Sequence, residues 1–149
     1  MKNILKIFLV CLLIISCKGK DESNLAVVTE NGEVRFVVQN AQEPDELMNG
    51  LMLVENMPEN EGMIFDLSGI QGAAMWMKDT LIPLDMLFID ENGSVVWIYE
   101  NAQPMSEDII MSPVPFDLVL ELNGGQVQKH NIKIGDKIKH EFLNNFDKE

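Results

Sequence analysis

Two carboxyl groups, Asp85 and Glu121, stand in otherwise apolar runs, Leu84-Asp85-Met86-Leu87-Phe88 and Val119-Leu120-Glu121-Leu122, and are the residues best suited to proton-transfer chemistry. Desolvation in such surroundings disfavours the charged form of a carboxyl, which is how one member of an acid–base pair stays protonated near neutral pH. A glycosidase would hold the two at ~5–5.5 Å or ~6.5–9.5 Å, depending on its mechanism. No sequence spacing supplies that distance, so Asp85 and Glu121 are nominated as a catalytic pair on chemistry alone. A second group lies in residues 76–85, where Lys78, Asp79 and Thr80 interrupt an apolar run and Asp85 follows a Pro83-Leu84 bend. Trp76, Lys78, Asp79, Thr80 and Asp85, joined by Asn123, can build a pocket in which an aromatic wall and a few polar groups orient a small ligand, a sugar or a peptide end. The same residues have a structural reading: Asp79, Thr80 and Asp85 cap turns and accept backbone N–H bonds, while Lys78 pairs with a carboxylate. On an extended strand, alternation puts Trp76 and Lys78 on one face and Met75, Met77 and Asp79 on the other.

Other chemistries find less material. No serine stands in a Gly-x-Ser-x-Gly elbow. His130 and His140 have no partner at helical metal-ligand spacing and are expected at the surface near the C-terminus. Ten methionines raise Cu(I) binding, since soft thioethers suit that ion and the pairs Met48/Met52 and Met75/Met77 share a helix or strand face. Leu, Ile, Phe and Trp flank most of them, which favours adaptable core filling. Asp90-Glu91-Asn92-Gly93 lacks the later ligands of a calcium loop and is explained as a turn. Neither a metal nor a cofactor is expected.

The elements that must position these residues read as short strands. Val34–Val38 and the apolar runs at residues 62–67, 73–77, 86–89, 95–99 and 116–122 have strand lengths, and several are β-branched or aromatic. Asn92-Gly93 between two of them predicts a tight hairpin, because both residues tolerate positive φ. Two segments break the pattern. Glu43-Pro44-Asp45-Glu46 opens a helix-like stretch to Met52 that turns Leu47 and Leu51, with Met48 and Met52, to the core. Residues 125–131 supply one or two further turns, before a last strand over residues 137–142. The expected class is mainly β, a compact β-sandwich or partly closed barrel with two short helices.

The N-terminus has the parts of an export leader. Lys2 and Lys6 precede or border an apolar run, Ile7-Phe8-Leu9-Val10-Cys11-Leu12-Leu13-Ile14-Ile15, that is too short for a spanning helix of roughly 20 residues but fits a signal core of ~7–15. Ile14-Ile15-Ser16-Cys17 resembles the lipobox of bacterial lipoproteins, which implies cleavage after Ser16 and lipidation of Cys17. Residues 1–16 are thus read as a signal peptide, 17–32 as a polar tether, 33–142 as a single β-rich domain and 143–149 as a polar tail. Cys17 is the only thiol beyond the leader, so no intramolecular disulfide forms and the domain rests on its core. Lys20-Asp21-Glu22 resembles the lysine-plus-acids signal of surface-exposed outer-membrane lipoproteins, and also reads as an ordinary charged linker. Losing Lys2 and Lys6 and no acid takes the net charge from −13 to −15. With Arg35 as its one arginine, the chain lacks the basic stripe of a nucleic-acid binder.

Gly50-Leu51-Met52, Gly62-Met63-Ile64-Phe65 and the fifteen residues from Trp76 to Asp90, Trp-Met-Lys-Asp-Thr-Leu-Ile-Pro-Leu-Asp-Met-Leu-Phe-Ile-Asp, together resemble the domain of unknown function 192 family. Val119-Leu120-Glu121-Leu122-Asn123-Gly124-Gly125 and Ile132-Lys133-Ile134-Gly135-Asp136 are similar to its closing segment, and the resemblance covers residues 34–138. It implies a compact β-rich fold common in exported bacterial proteins and no established activity. Val54 stands where the family often has arginine and Met105 where it often has cysteine, so no role resting on either group transfers. The expectation is a lipid-anchored envelope domain that binds a small ligand or a protein partner without catalysis, located at the outer membrane. The alternative is a small envelope hydrolase acting on carbohydrate or muropeptide through its carboxylate pair.

Overall fold

The computed structural model of the chain describes residues 22–143. The elements run β1 (Glu22–Thr29), β2 (Gly32–Ala41), α1 (Pro44–Asn49), β3 (Glu61–Asp66), β4 (Leu84–Ile89), β5 (Val95–Ala102), β6 (Leu118–Asn123), α2 (Gln126–His130) and β7 (Lys137–Lys139), then a 3-10 turn at Glu141–Leu143. The strands form one sheet in the order β5-β4-β6-β3-β2-β1-β7. Only β2 and β3 pair in parallel, and α1 with its following loop makes the crossover that such a pair needs. The two ends of the sheet meet at the β4–β5 turn: Ser94 bridges Lys137, Val95 N–H donates to the Asp136 carbonyl at 2.9 Å and Ile138 N–H to Gly93 O at 2.7 Å. The mainly β class with two short helices is therefore formed, as a sheet curled into a partly closed barrel.

Strand alternation gives the sheet two apolar nuclei. The concave one draws on all seven strands, with Leu25, Phe36, Ile64, Leu87, Val95, Leu120 and Ile138 among its members, and α2 plugs it with Val127. The convex one lies outside β3, β4 and β6, where Met63, Phe65, Met86, Phe88 and Val119 are covered by loops carrying Leu51, Met75, Met77 and Ile110. No methionine among the described residues belongs to the concave nucleus. The thioethers sit where an irregular cap meets a sheet, a place suited to flexible side chains. Met48, Met105 and Met111 are exposed, so core filling does not account for these three.

Several local expectations are adjusted. The β4–β5 hairpin forms, but Gly93 alone takes positive φ, at 74°. Asn92 stays out of that region, while the Asp90 carboxylate accepts the N–H groups of Asn92 (3.0 Å) and Ser94 (2.7 Å). Residues 73–77 make no strand: Met75 forms a single bridge to Ile110, because Gly72 and Asp79, both at positive φ, bend the chain away on either side. The final strand stops at Lys139 and the 3-10 turn follows.

The domain also begins earlier than the polar composition of residues 17–32 suggests. β1 occupies Glu22–Thr29, because Leu25-Ala26-Val27 is a buried apolar core that pairs with β2 along its full length and with β7. At the other end, Phe142 and Leu143 pack on the concave nucleus. The leader, Cys17 and residues 144–149 lie outside the described residues. Among those described, no helix is long and apolar enough to cross a membrane.

His140 corrects the expectation of a surface group, being fully buried between the two ends of the domain. Phe142 N–H donates to its Nδ1 at 3.2 Å, which leaves the ring proton on Nε2, 2.5 Å from Ser23 Oγ. Ser23 donates in turn to Asn40 Oδ1 (2.7 Å), and Asn40 Nδ2 to Glu141 Oε1 (3.0 Å). A ring whose Nε2 donates to Ser23 does not act as that hydroxyl's base, so this is a structural tie from β1 to the C-terminal turn. His130 is half-buried, bonded to Gln126 Oε1 at 3.1 Å and edge-on to Phe36.

One glycine is dictated by a neighbour. A Cβ at Gly62 would lie 2.5 Å from the backbone oxygen of Glu121 and 2.9 Å from Leu122 Cδ2. Gly62→Ala should therefore push β3 off β6 and lower the unfolding free energy by about 1–3 kcal/mol. The check is the urea midpoint at constant slope; an unchanged midpoint would contradict the close approach.

Candidate functional site

The convex cap leaves a small open cleft, with about 30 Å³ of enclosed space, between α1 and the loop of residues 75–80. α1 is set by Pro44 in its first turn and by Glu46, whose carboxylate accepts the N–H groups of Gln42 (3.1 Å) and Glu43 (3.0 Å). The helix and the turn after it present Met48 and Met52 to the cleft, β3 presents Phe65, and the opposite loop Met75 and Trp76. Leu51 is buried beneath, Leu47 is partly so, and Met48 is exposed rather than turned to the core.

Glu121 reaches this cleft from β6. It stands opposite Met86 of β4 and Met63 of β3, on the convex side of the sheet. It is 4% exposed, and among the described residues its carboxyl has no hydrogen-bond or ion-pair partner. No fully enclosed side-chain oxygen or nitrogen among those residues lacks a partner, so the Glu121 carboxyl meets the open space of the cleft. Burial pushes its pKa up to about 8, with no charged neighbour contributing. At neutral pH it is a carboxylic acid, able to donate and to accept.

The loop facing Glu121 is held by unusual backbone. Leu53, Asp79 and Met105 have φ of 61°, 54° and 63°. Leu53 N–H donates to Asp79 O at 2.8 Å, and Met105 N–H to Thr80 O at 3.0 Å. Three non-glycine residues in the left-handed region, linked through two adjacent carbonyls, mark the kind of over-determined segment found at binding sites. Alternation survives without a strand: Met75 and Met77 are buried, Trp76 is 36% exposed and Lys78 half-exposed. Lys78 makes no ion pair with a described carboxylate; its Nζ lies 5.3 Å from the Trp76 ring centroid.

The remaining nominated residues separate. Asp85 projects to the concave side and faces Leu122 across the β4–β6 pairing. Its fully buried carboxylate accepts Asn101 N–H and Val127 N–H, both at 2.8 Å, tying β5 and the first turn of α2 to β4. Asp85 and Glu121 therefore lie on opposite faces of the sheet and do not form a catalytic pair. Sequence separation hides this, but strand parity and register decide it. Asn123 donates to the carbonyls of Met57 (3.1 Å) and Pro58 (3.0 Å) and anchors the loop after α1. Asp79 contributes backbone. Of the nominated residues, the cleft unites Trp76, Thr80 and Glu121; its α1 wall and Phe65 were read only as core or helix positions. No group of three or more His, Cys, Asp or Glu among the described residues could hold a metal.

The profile of DUF192, an uncharacterized ACR, matches residues 26–140. The chain belongs to this family. Two solved structures share the DUF192 chain's fold at a TM-score of 0.79. One, a proposed transcription regulator from Sinorhizobium meliloti 1021, is 38% identical and covers 83% of this chain and 97% of its own. The other, a protein of unknown function from Novosphingobium aromaticivorans DSM 12444, is 33% identical over 84% of this chain and 89% of its own. No curated protein matches. Most of the motifs that carried the DUF192 resemblance map to the cleft or its supports: Gly50-Leu51-Met52 closes α1, Gly62 to Phe65 is β3, residues 76–90 run from the cleft wall through β4, and residues 119–125 hold β6 with Glu121, whereas residues 132–136 lie on the concave side against Val95. The two departures flank them, Val54 half-buried on the convex nucleus and Met105 exposed at its strained turn.

Two buried groups set the pH dependence of stability. Glu121 holds a proton up to about pH 8 in the fold, against an unfolded value near 4.5, so stability falls as pH rises between those values. Desolvation lowers the His140 pKa from 6.5 to about 4, so stability falls as pH drops through that range. The slopes oppose each other between pH 4.5 and 6.5 and should nearly cancel; above 6.5 the Glu121 slope remains, roughly 1.4 kcal/mol per unit at most. Glu30, Glu33 and Glu59, paired with Lys133, Lys139 and Lys129, are held below the usual carboxylate range and titrate under this window. Glu121→Gln is expected to raise the melting temperature at pH 7.5 and abolish the decline from pH 6.5 to 8 in thermal melts. A variant that kept the decline would show that Glu121 is not its source.

Proposed function

We propose that this DUF192 protein is a membrane-tethered, non-enzymatic binding or accessory domain of the bacterial cell envelope, and that its ligand enters the cleft between α1 and residues 75–80. One observation carries the reading: a buried carboxyl without a partner opens onto an apolar, aromatic-walled cleft. A group that weakens the fold at neutral pH has a reason to stand there if it meets a ligand. The hydrolase alternative needs a second carboxyl on the same side, and Asp85 is committed to backbone on the other face. The transcription-regulator description of the Sinorhizobium relative is not carried over, because a chain of net charge −15 after its leader, with one arginine, opposes nucleic acid.

Anchoring rests on the leader and on Ile14-Ile15-Ser16-Cys17, and outer-surface placement on Lys20-Asp21-Glu22. Several acyl chains at Cys17, at about 0.8 kcal/mol per buried CH₂, would hold the protein permanently at a bilayer. Cys17→Ser should shift the protein from the membrane to the soluble fraction; unchanged fractionation would contradict lipid attachment. The same soluble variant, titrated with envelope sugars, muropeptides and peptides, should show chemical-shift changes at the Trp76 indole and Thr80 amide without turnover. Product formation would reject a binding-only role, and shifts confined to other surfaces would move the site.

A further inference from the structure

We propose that the cleft recognises a primary ammonium group on a short apolar stem, the nitrogen meeting Glu121 and the stem lying along Trp76, Met48 and Met52. This rests on the cleft being the binding site and names its ligand class. Among the described residues Glu121 is the one ionisable side chain that lines it, and no cation among them reaches that carboxyl. From α1 the cleft receives Leu47, Met48 and Asn49, from β3 Phe65, and from the facing loop Met75, Trp76 and Thr80. The acids of α1, Asp45 and Glu46, line the adjoining groove instead. The apolar walls suit methylenes and supply no positive charge, so the acid at the floor lacks a counter-ion that a ligand can bring.

The molecule also displays the other half of the recognition. Lys78, which does not line the cleft, lays its own ammonium 5.3 Å from the Trp76 ring centroid, which shows that this wall residue accepts a cation on its ring. The strongly acidic chain adds a general attraction for cations. Neutral alcohols and amides can also bond to a protonated carboxyl, but they leave its proton in place. An ammonium does not: on binding, the Glu121 O–H bond breaks, the proton goes to solvent, the carboxylate pairs with the ammonium, and charge and atoms balance. Release of that proton is the signature that separates the two ligand classes.

The test is an NMR titration of the chain from Cys17 onward, carrying Cys17→Ser, with n-butylammonium and with 1-butanol as the neutral comparison. The Trp76 indole should shift with butylammonium, and the affinity should rise about tenfold per pH unit between pH 6 and 7.5. The ¹³C titration midpoint of the Glu121 carboxyl should fall in its presence, and Glu121→Gln should abolish the pH dependence and weaken binding at least tenfold. Equal, pH-independent binding of butanol and butylammonium overturns the ammonium proposal and leaves the cleft a binding site. No shift at Trp76 with any probe, the envelope panel included, overturns both. Vesicles of phosphatidylcholine with and without phosphatidylethanolamine then assign the source: selective retention on the latter identifies a lipid amine, and equal retention with butylammonium binding intact identifies a free one.

Discussion

The pairing of Met86 with Glu121 across β4 and β6 is the constraint on which the rest of the molecule depends. In a sheet, neighbours along a strand point to opposite faces and neighbours across it point to the same one. That single register sends Leu118, Leu120 and Leu122 with Leu87 and Ile89 into the curled interior, and Met86, Phe88 and Val119 outward beneath the loops. It also divides the two carboxyls, which then solve desolvation differently. Asp85 closes two backbone donors and becomes a rivet between β4, β5 and α2. Glu121 finds none and stays protonated instead.

The two faces differ in material as well as position. The interior is built mainly of Leu, Ile and Val with Phe36, and its strands are joined edge to edge until the ring nearly shuts. The outside is a patchwork of loops bound by methionines and by hydrogen bonds between strained turns at Leu53, Asp79 and Met105. A regular barrel needs no such cap for its hydrogen bonding. The cap shields the convex apolar face, and the incomplete fit between α1 and residues 75–80 is what leaves a cleft.

Much of the frame could be read from residue order. The hairpin at Asp90 to Gly93, the proline-opened α1, the short α2 and the alternation of residues 75–78 each follow from local chemistry, and the family resemblance fits the fold. β1 went unread because acids, Ser and Asn surround its apolar centre, and only the partners β2 and β7 reveal why Leu25 to Val27 are buried. His140 looked like a terminal surface group, since nothing local shows that Ser23, more than a hundred residues away, lies against it. Asp85 and Glu121 were recognised as unusual, yet their faces depend on register, a long-range property. The α1 wall of the cleft was legible as an amphipathic helix, but not as a helix whose Met48 is left open.

The position of β1 has a bearing on where such a protein can work. The sheet begins at Glu22, five residues after Cys17, and five residues of fully extended chain reach at most about 18 Å. An acyl group on Cys17 would therefore leave only a short leash between bilayer and sheet. The start of β1 neighbours the end of β2, from which α1 departs, so the helix end of the barrel is the end nearest the leash. Under the anchoring proposed above, the domain would sample a thin shell of the aqueous phase, and whatever it meets would have to come to the bilayer surface or already reside there.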